Sequence, residues 1–212
     1  MATNLRKTKE PGILVDMTTG DLIEMADFRV DDRYDTQVTA SGAVAANTKE
    51  RFFNTLTDKD SIDANFPDVN RICGAGEEME VERFWVAFPQ AVGNTRVPPR
   101  DIIKAAENLY VIWKLNRALV SEGPAVKYAP GFGVTGQTTE NNTGIANSGV
   151  ASPAAVSKLD HTFLTGERTQ IFVEGQWFDH LWDATNMPTL DGKVWTRVGF
   201  HGVVKDAAVK NT

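Results

Sequence analysis

The chain of 212 residues contains one cysteine and no long apolar run. A single cysteine, Cys73, can form neither an intrachain disulfide nor a cysteine-based zinc site, so we expect it to be a small buried apolar residue. No stretch approaches the roughly 18 apolar residues of a membrane-spanning helix. The polar N-terminus also lacks the apolar run of a secretory signal. These features predict no transmembrane segment and synthesis in a reducing cytoplasm.

Motifs of the common enzyme classes are also missing. The sequence has no Gly-x-Ser-x-Gly, no phosphate-binding loop and no His-Glu-x-x-His. Residues 131–136 have the letters of a dinucleotide fingerprint, but the Gln-, Thr- and Asn-rich residues that follow cannot open the helix that such a site needs. We therefore expect a protein that is not an enzyme, with no catalytic residues and no cofactor or metal.

Three histidines leave one enzymatic alternative open. His161, His180 and His201 are spread through β-rich sequence, and histidines on barrel strands hold the metal of cupin-like enzymes. The usual cue for a cupin is a His-x-His pair, which is absent. On this alternative, iron, manganese or zinc would bind at His180 and His201.

Charge is unevenly distributed along the chain. The net charge of −6 argues against direct, sequence-specific binding to nucleic acid. Residues 1–35 are predicted to form an extended N-terminal arm, in which Arg6, Lys7 and Lys9 precede an acidic, irregular segment. These three cations are candidates for contacts with neighbouring subunits.

The last third of the chain carries the strongest β pattern. From residue 193 to 204, apolar residues alternate with residues of the opposite face, which is the period of a strand. A second β-rich run covers residues 169–178, and Asp191-Gly192 predicts a tight turn that joins antiparallel strands. Trp177, Trp182 and Trp195 also lie in this region, and we expect them at subunit contacts.

The middle of the chain predicts further strands and one helix. Residues 78–88 alternate in their first half and are apolar on both faces in the second, as in a strand covered on both sides. Residues 101–108 predict a short helix that leads into a hairpin over 109–120, with a single helix over 101–119 as the competing interpretation. A long polar loop follows at about 129–157. Since no linker is evident, residues 36–212 are expected to form one domain.

This layout resembles the jelly-roll major capsid proteins of tailless icosahedral bacteriophages. The matching features are Arg51-Phe-Phe53 after a polar arm, the strand at 78–88, the short helix and hairpin with its Gly123-Pro124 turn, the Gly/Asn/Thr-rich insertion and the closing β pair. The resemblance implies an all-β, single jelly-roll sandwich with one or two short helices. It further implies a structural capsid protein of the virion that self-assembles into an icosahedral shell, with copies of itself and other virion proteins as partners.

A second alternative remains for the tryptophans. Trp177, Trp182 and Trp195 could instead form the exposed platform of a carbohydrate-binding module or of a phage tail or decoration β-sandwich. This interpretation predicts that sugars quench tryptophan fluorescence, whereas the capsid interpretation does not.

Overall fold

The computed structural model describes residues 5–7, 13–16, 22–24, 28–45, 47–89, 91–92, 95–128, 135–137, 145–147, 159, 162–178 and 187–205. In the short segments before residue 29, at 91–96 and at 135–147, only the backbone is described. The strands are β1 (Leu5–Lys7), β2 (Ile13–Asp16), β3 (Leu22–Glu24), β4 (Phe28–Thr39), β5 (Gly42–Ala43), β6 (Lys49–Phe52), β7 (Ala64–Asn65), β8 (Glu78–Ala87), β9 (Ala91–Val92), β10 (Thr95–Arg96), β11 (Leu109–Leu115), β12 (Ala118–Pro124), β13 (Thr135–Gln137), β14 (Ile145–Asn147), β15 (Phe163–Gly166), β16 (Ile171–Trp177), β17 (Thr189–Leu190) and β18 (Val194–Lys205). The helices are α1 (Pro99–Asn108) and a 3-10 helix (Ala125–Tyr128).

Two antiparallel sheets form the body of the protein. Sheet I has the order β15-β8-β18-β4-β7, and sheet II has the order β12-β11-β16-β6. The eight principal strands are all of these except the short β7. Along the chain, each connection between consecutive principal strands leads from one sheet to the other, except in the β11–β12 hairpin. This alternation is the connectivity of a jelly roll. The prediction of an all-β sandwich is confirmed, as is the strand at 78–88 with the helix and hairpin that follow it.

Aromatic side chains fill the space between the two sheets. The Phe84 ring stacks on Trp113 with centroids 4.6 Å apart, and the edge of Phe200 meets both rings at 5.4 and 5.2 Å. Tyr128, from the 3-10 helix, meets Trp113 at 5.6 Å. Stacked and edge-to-face pairs of this kind add to the free energy gained by burying apolar area. The interior is therefore a closed aromatic core.

A β-bulge in β8 explains its unusual pattern. Opposite β18, Arg83 pairs with His201 but Val81 pairs with Gly202, so Glu82 is an extra residue. The extra residue reverses the alternation: Met79 and Val81 before it, and Phe84, Val86 and Phe88 after it, all point into the core. The expectation that both faces of this strand are covered is therefore wrong, because one face is buried and the register shifts.

Strand β4 begins at Phe28, inside the predicted arm. Its inward-facing residues are polar, and Arg33 and Asp35 are buried. Its outward-facing residues include Val30 and Val38, which are 70% and 50% exposed. Residues 28–35 therefore belong to sheet I, and the arm that we predicted over 1–35 ends before this strand. Upstream, β1, β2 and β3 pair with one another in a separate three-stranded sheet.

Helix α1 is joined to the start of β18 by a buried carboxylate. Pro99 opens the helix, where its missing N–H costs no hydrogen bond. Asp101 accepts hydrogen bonds of 2.8 Å from the backbone N–H groups of both Asp191 and Gly192. The helix ends at Asn108, where β11 begins, so the competing helix over 101–119 is wrong.

The Asp191-Gly192 turn does not have the predicted role. It leads from β17, which pairs with β5, into β18 of sheet I, so it does not join two paired strands. A Cβ atom on Gly192 would lie 2.8 Å from the Pro98 ring. The glycine is therefore needed for close approach to the start of α1.

Much of the long loop predicted at about 129–157 lies outside the described residues. The exceptions are β13 and β14, which pair with each other. Within the described residues, no helix is long and apolar enough to cross a membrane.

The bulge predicts a strict requirement for glycine at position 202. A Cβ atom there would lie 1.9 Å from the Glu80 backbone oxygen, and backbone cannot move aside as a side chain can. We expect Gly202→Ala to lower the free energy of unfolding by about 3 kcal/mol or more, as measured by urea denaturation. Gly166→Ala is the matched control, because its Cβ atom would meet no atom closer than 3.9 Å. Equal stability of the two variants would contradict this account of the bulge.

Candidate functional site: the outer face of sheet I

The outer face of sheet I carries apolar and aromatic side chains where a sheet facing solvent is usually polar. We define this face by the outward residues of three neighbouring strands, which are Val30, Asp32, Tyr34 and Val38 of β4, Trp85 of β8, and Trp195, Arg197 and His201 of β18. Ile62 lies next to them and is 66% exposed. Isolated exposed apolar residues are common, but a group on one face is characteristic of an interaction surface.

The centre of the face is organised around Asp32. Its Oδ1 atom accepts a hydrogen bond of 3.1 Å from the indole N–H of Trp85, and Nδ1 of His201 lies 3.0 Å from the same oxygen. The Trp85 indole lies flat over Gly199, where a Cβ atom would be only 2.3 Å from the ring. The missing side chain at Gly199 thus gives the indole its place on the sheet.

Tyr34 and Arg197 extend this arrangement along the sheet. The Arg197 guanidinium lies 4.8 Å from the centroid of the Tyr34 ring, and its Nε donates a hydrogen bond of 3.0 Å to Thr36. The Tyr34 hydroxyl donates a hydrogen bond of 2.7 Å to the backbone oxygen of Ser61. These contacts hold large side chains in fixed positions, so binding a partner would cost little side-chain entropy.

The chemistry of this face suits binding. Trp, Tyr and Arg are the residue types that contribute most to protein–protein binding free energy. Here they are held by hydrogen bonds beside exposed valine and isoleucine side chains, which gives a partly apolar patch with polar groups among it.

Sequence reasoning missed most of this face because it treated residues 28–35 as an acidic arm. The signal was present, since apolar Val30, Tyr34 and Val38 fall on one phase of the strand.

The structure separates the tryptophans that the sequence grouped together. Trp177 has no exposed surface, and its indole N–H donates a hydrogen bond of 2.9 Å to Glu50. It therefore cannot serve as the predicted subunit contact or as part of an exposed sugar platform. Trp195 is half-buried at the end of the outer face of sheet I, opposite Val38, and Trp182 lies outside the described residues.

The predicted basic contacts fall where side chains are not described. Arg6 and Lys7 belong to β1, whose backbone alone is described, and Lys9 lies outside the described residues. Their role in subunit contacts stays a prediction.

His201 is the one histidine of the cupin alternative that lies among the described residues, and it does not point into the sandwich. His201 points outward from sheet I and contacts Asp32, whereas a cupin metal lies inside the barrel. His161 and His180 lie outside the described residues. In the part of the chain that the structure describes, no group of three His, Cys, Asp or Glu side chains could hold a metal ion.

Cys73 is buried as predicted, and burial raises the pKa of its thiol.

Glu50, which accepts the hydrogen bond of the Trp177 indole, is itself buried. Its Oε1 atom also accepts a hydrogen bond from the Thr39 hydroxyl, while Oε2 is buried and has no hydrogen-bond partner among the described residues. Burial raises the pKa of the Glu50 carboxyl above its ordinary value of 4.5, because the charged form loses its water. This carboxyl links β4, β6 and β16 across the end of the sandwich.

The chain matches no protein-family profile, and no curated protein is significantly similar to it.

Glu50 predicts a pH dependence of stability. An acid whose pKa is higher in the folded state than in the unfolded state lowers stability as pH rises from the unfolded value through the folded one. We expect the free energy of unfolding to fall by about 1.4 kcal/mol per pH unit in this window above pH 4.5. Glu50→Gln should remove that part of the decline, whereas Glu107→Gln, at an exposed helical position, should retain it. The same pH profile for both variants in urea denaturation would show that Glu50 is not the titrating group.

Proposed function

We propose that this protein is a structural subunit that self-assembles into a shell, as viral capsid proteins do. The observation that carries the proposal is the outer face of sheet I, where fixed aromatic side chains lie beside exposed Val30, Val38 and Ile62. On this proposal the protein acts in a virion, is made in the host cytoplasm, and has copies of itself and other virion proteins as partners. Its role is mechanical, and no catalytic residue is assigned.

The fold supports the proposal without deciding it. Jelly rolls occur in viral capsids, in lectins and in cupins, and fold alone does not specify function. A cupin reaction takes place inside the barrel, but here Phe84, Trp113 and Phe200 occupy that space. A lectin platform built on Trp177 is also disfavoured, because Trp177 is buried. A surface function is what this closed sandwich favours.

The composition of the exposed face is suited to association between protein subunits. A stable interface buries about 800 Å² on each partner and places aromatic and arginine residues near its centre. Tyr34, Trp85 and Arg197 hold such central positions, with Val30 and Val38 at the two ends of β4. Repeated use of one such face, together with the polar arm, would join subunits into a larger assembly.

The test measures assembly against protein concentration. We expect light scattering and negative-stain images to show oligomers or shells that grow with concentration. Val38→Asp should raise the concentration needed for assembly about tenfold or more, because a carboxylate would have to be desolvated in the interface.

Val126→Asp is the matched control. Val126 is 52% exposed, close to the value for Val38, but it lies on the 3-10 helix and is not one of the residues of the outer face of sheet I. We expect this variant to assemble like the wild-type protein. A wild-type protein that stays monomeric at every concentration, or equal effects of the two substitutions, would contradict the proposal.

A further inference from the structure

A groove on the outer face of sheet II has a different chemistry from the outer face of sheet I. It encloses about 500 Å³, within the range of small-ligand sites. Its lining includes three cations, two carboxamides and an exposed aromatic ring, which are Arg51, Lys114, Arg117, Asn54, Asn70 and Phe172. We refer to it as the cationic groove.

Strand register and one tight turn bring these residues together. Lys114 of β11 pairs with Phe172 of β16, and Arg51 of β6 pairs with Glu174 of β16 on the other side. Arg117 comes from the two-residue turn between β11 and β12, in which Asn116 and Arg117 both have positive φ, at 47° and 76°. Such turns match the twist of a hairpin, so the groove is built on a rigid element.

Among the described residues, the three cations of the groove have no acidic partner. Arg51, Lys114 and Arg117 are exposed, and none forms an ion pair within the described part of the chain. The one carboxylate in the lining, Glu174, is neutralised by Lys49 at 2.8 Å. A chain with a net charge of −6 thus keeps three uncompensated positive charges around a single groove.

Phe172 gives the groove an aromatic surface between those charges. The residue lies on an internal strand of sheet II and is 39% exposed, which is unusual for phenylalanine. The carboxamides of Asn54 and Asn70 lie in the same lining and can both donate and accept hydrogen bonds. A ligand that satisfies all of these groups must carry negative charge, a planar ring and polar edges.

We propose that the cationic groove binds single-stranded nucleic acid without sequence preference. Phosphates would contact Arg51, Lys114 and Arg117, and one base would stack on Phe172, which is the combination of charges and aromatic platforms that proteins use for single strands. An acidic peptide would satisfy the cations but would leave the ring and the carboxamides unused. This inference does not depend on the proposed shell function.

The experiment is fluorescence anisotropy of a labelled oligothymidylate of about 12 nucleotides, with dilute, unassembled protein. Three phosphate contacts to a single strand predict a slope near −2 for log affinity against log salt, or roughly fifteen-fold weaker binding at 200 mM than at 50 mM. Combining Lys114→Gln with Arg117→Gln should weaken binding about tenfold or more and reduce the slope to about −0.7. Lys193→Gln, at an exposed cation away from the groove, should change neither quantity.

A second comparison separates nucleic acid from other polyanions. An abasic oligonucleotide should bind several-fold more weakly than oligothymidylate, and Phe172→Leu should abolish that difference while leaving the salt slope unchanged. If poly-glutamate binds as tightly as oligothymidylate and abasic sites have no effect, the groove binds acidic chains and the proposal is wrong. Absence of binding at 50 mM salt would also overturn it. Neither result bears on assembly, which is measured separately.

Discussion

The orientation of β4 depends on the buried carboxylate of Asp35. This side chain has no exposed surface and accepts hydrogen bonds from the backbone N–H groups of Phe53 and Thr36, at 2.6 and 2.9 Å, while Lys59 forms an ion pair with it. A buried carboxylate without such partners would cost several kcal/mol. The hydrogen bond also holds Phe53 at a positive φ of 59°, with its ring against Phe66 and Phe200. Asp35 therefore joins β4 to the segment that follows β6.

These hydrogen bonds of Asp35 determine which side chains of β4 point outward from sheet I. Because residues of β4 alternate, turning Asp35 inward turns Val30, Tyr34 and Val38 outward. Apolar groups that would ordinarily face a core are exposed on sheet I, while the core itself is filled by aromatic residues from other strands. Uncompensated positive charge lies instead around the groove on sheet II. The protein thus has two outer faces of different character, one partly apolar and aromatic and one cationic.

The elements that could be predicted from the sequence are those in which apolar residues recur on the buried face or in which turn and capping residues mark the ends. Strands β16 and β18 and the β11–β12 hairpin alternate or turn as simple rules require, and α1 begins beside prolines. Most of strand β4 was missed because its polar residues face inward and residues 28–35 were interpreted as an acidic arm, although Val30, Tyr34 and Val38 share one phase of the strand. The second half of β8 was misread because Glu82 shifts the register at a bulge.

Features that depend on distant contacts could not be predicted in the same way. Burial of Trp177 follows from its hydrogen bond to Glu50, which lies 127 residues away. The use of Asp191-Gly192 follows from its contact with Asp101 at the start of α1. The cationic groove likewise combines residues of β6, β11 and β16 that share no local motif. Such sites become visible once the register of the sheets is known.

We propose that copies of this chain associate through the outer face of sheet I. Hydroxyl-radical footprinting of dilute and concentrated protein tests it most directly, since it reports the solvent exposure of individual side chains. The account predicts that Val30, Tyr34 and Val38 become protected at high concentration, while Val126 stays reactive. Unchanged reactivity of the three β4 residues in an assembled sample would contradict the claim.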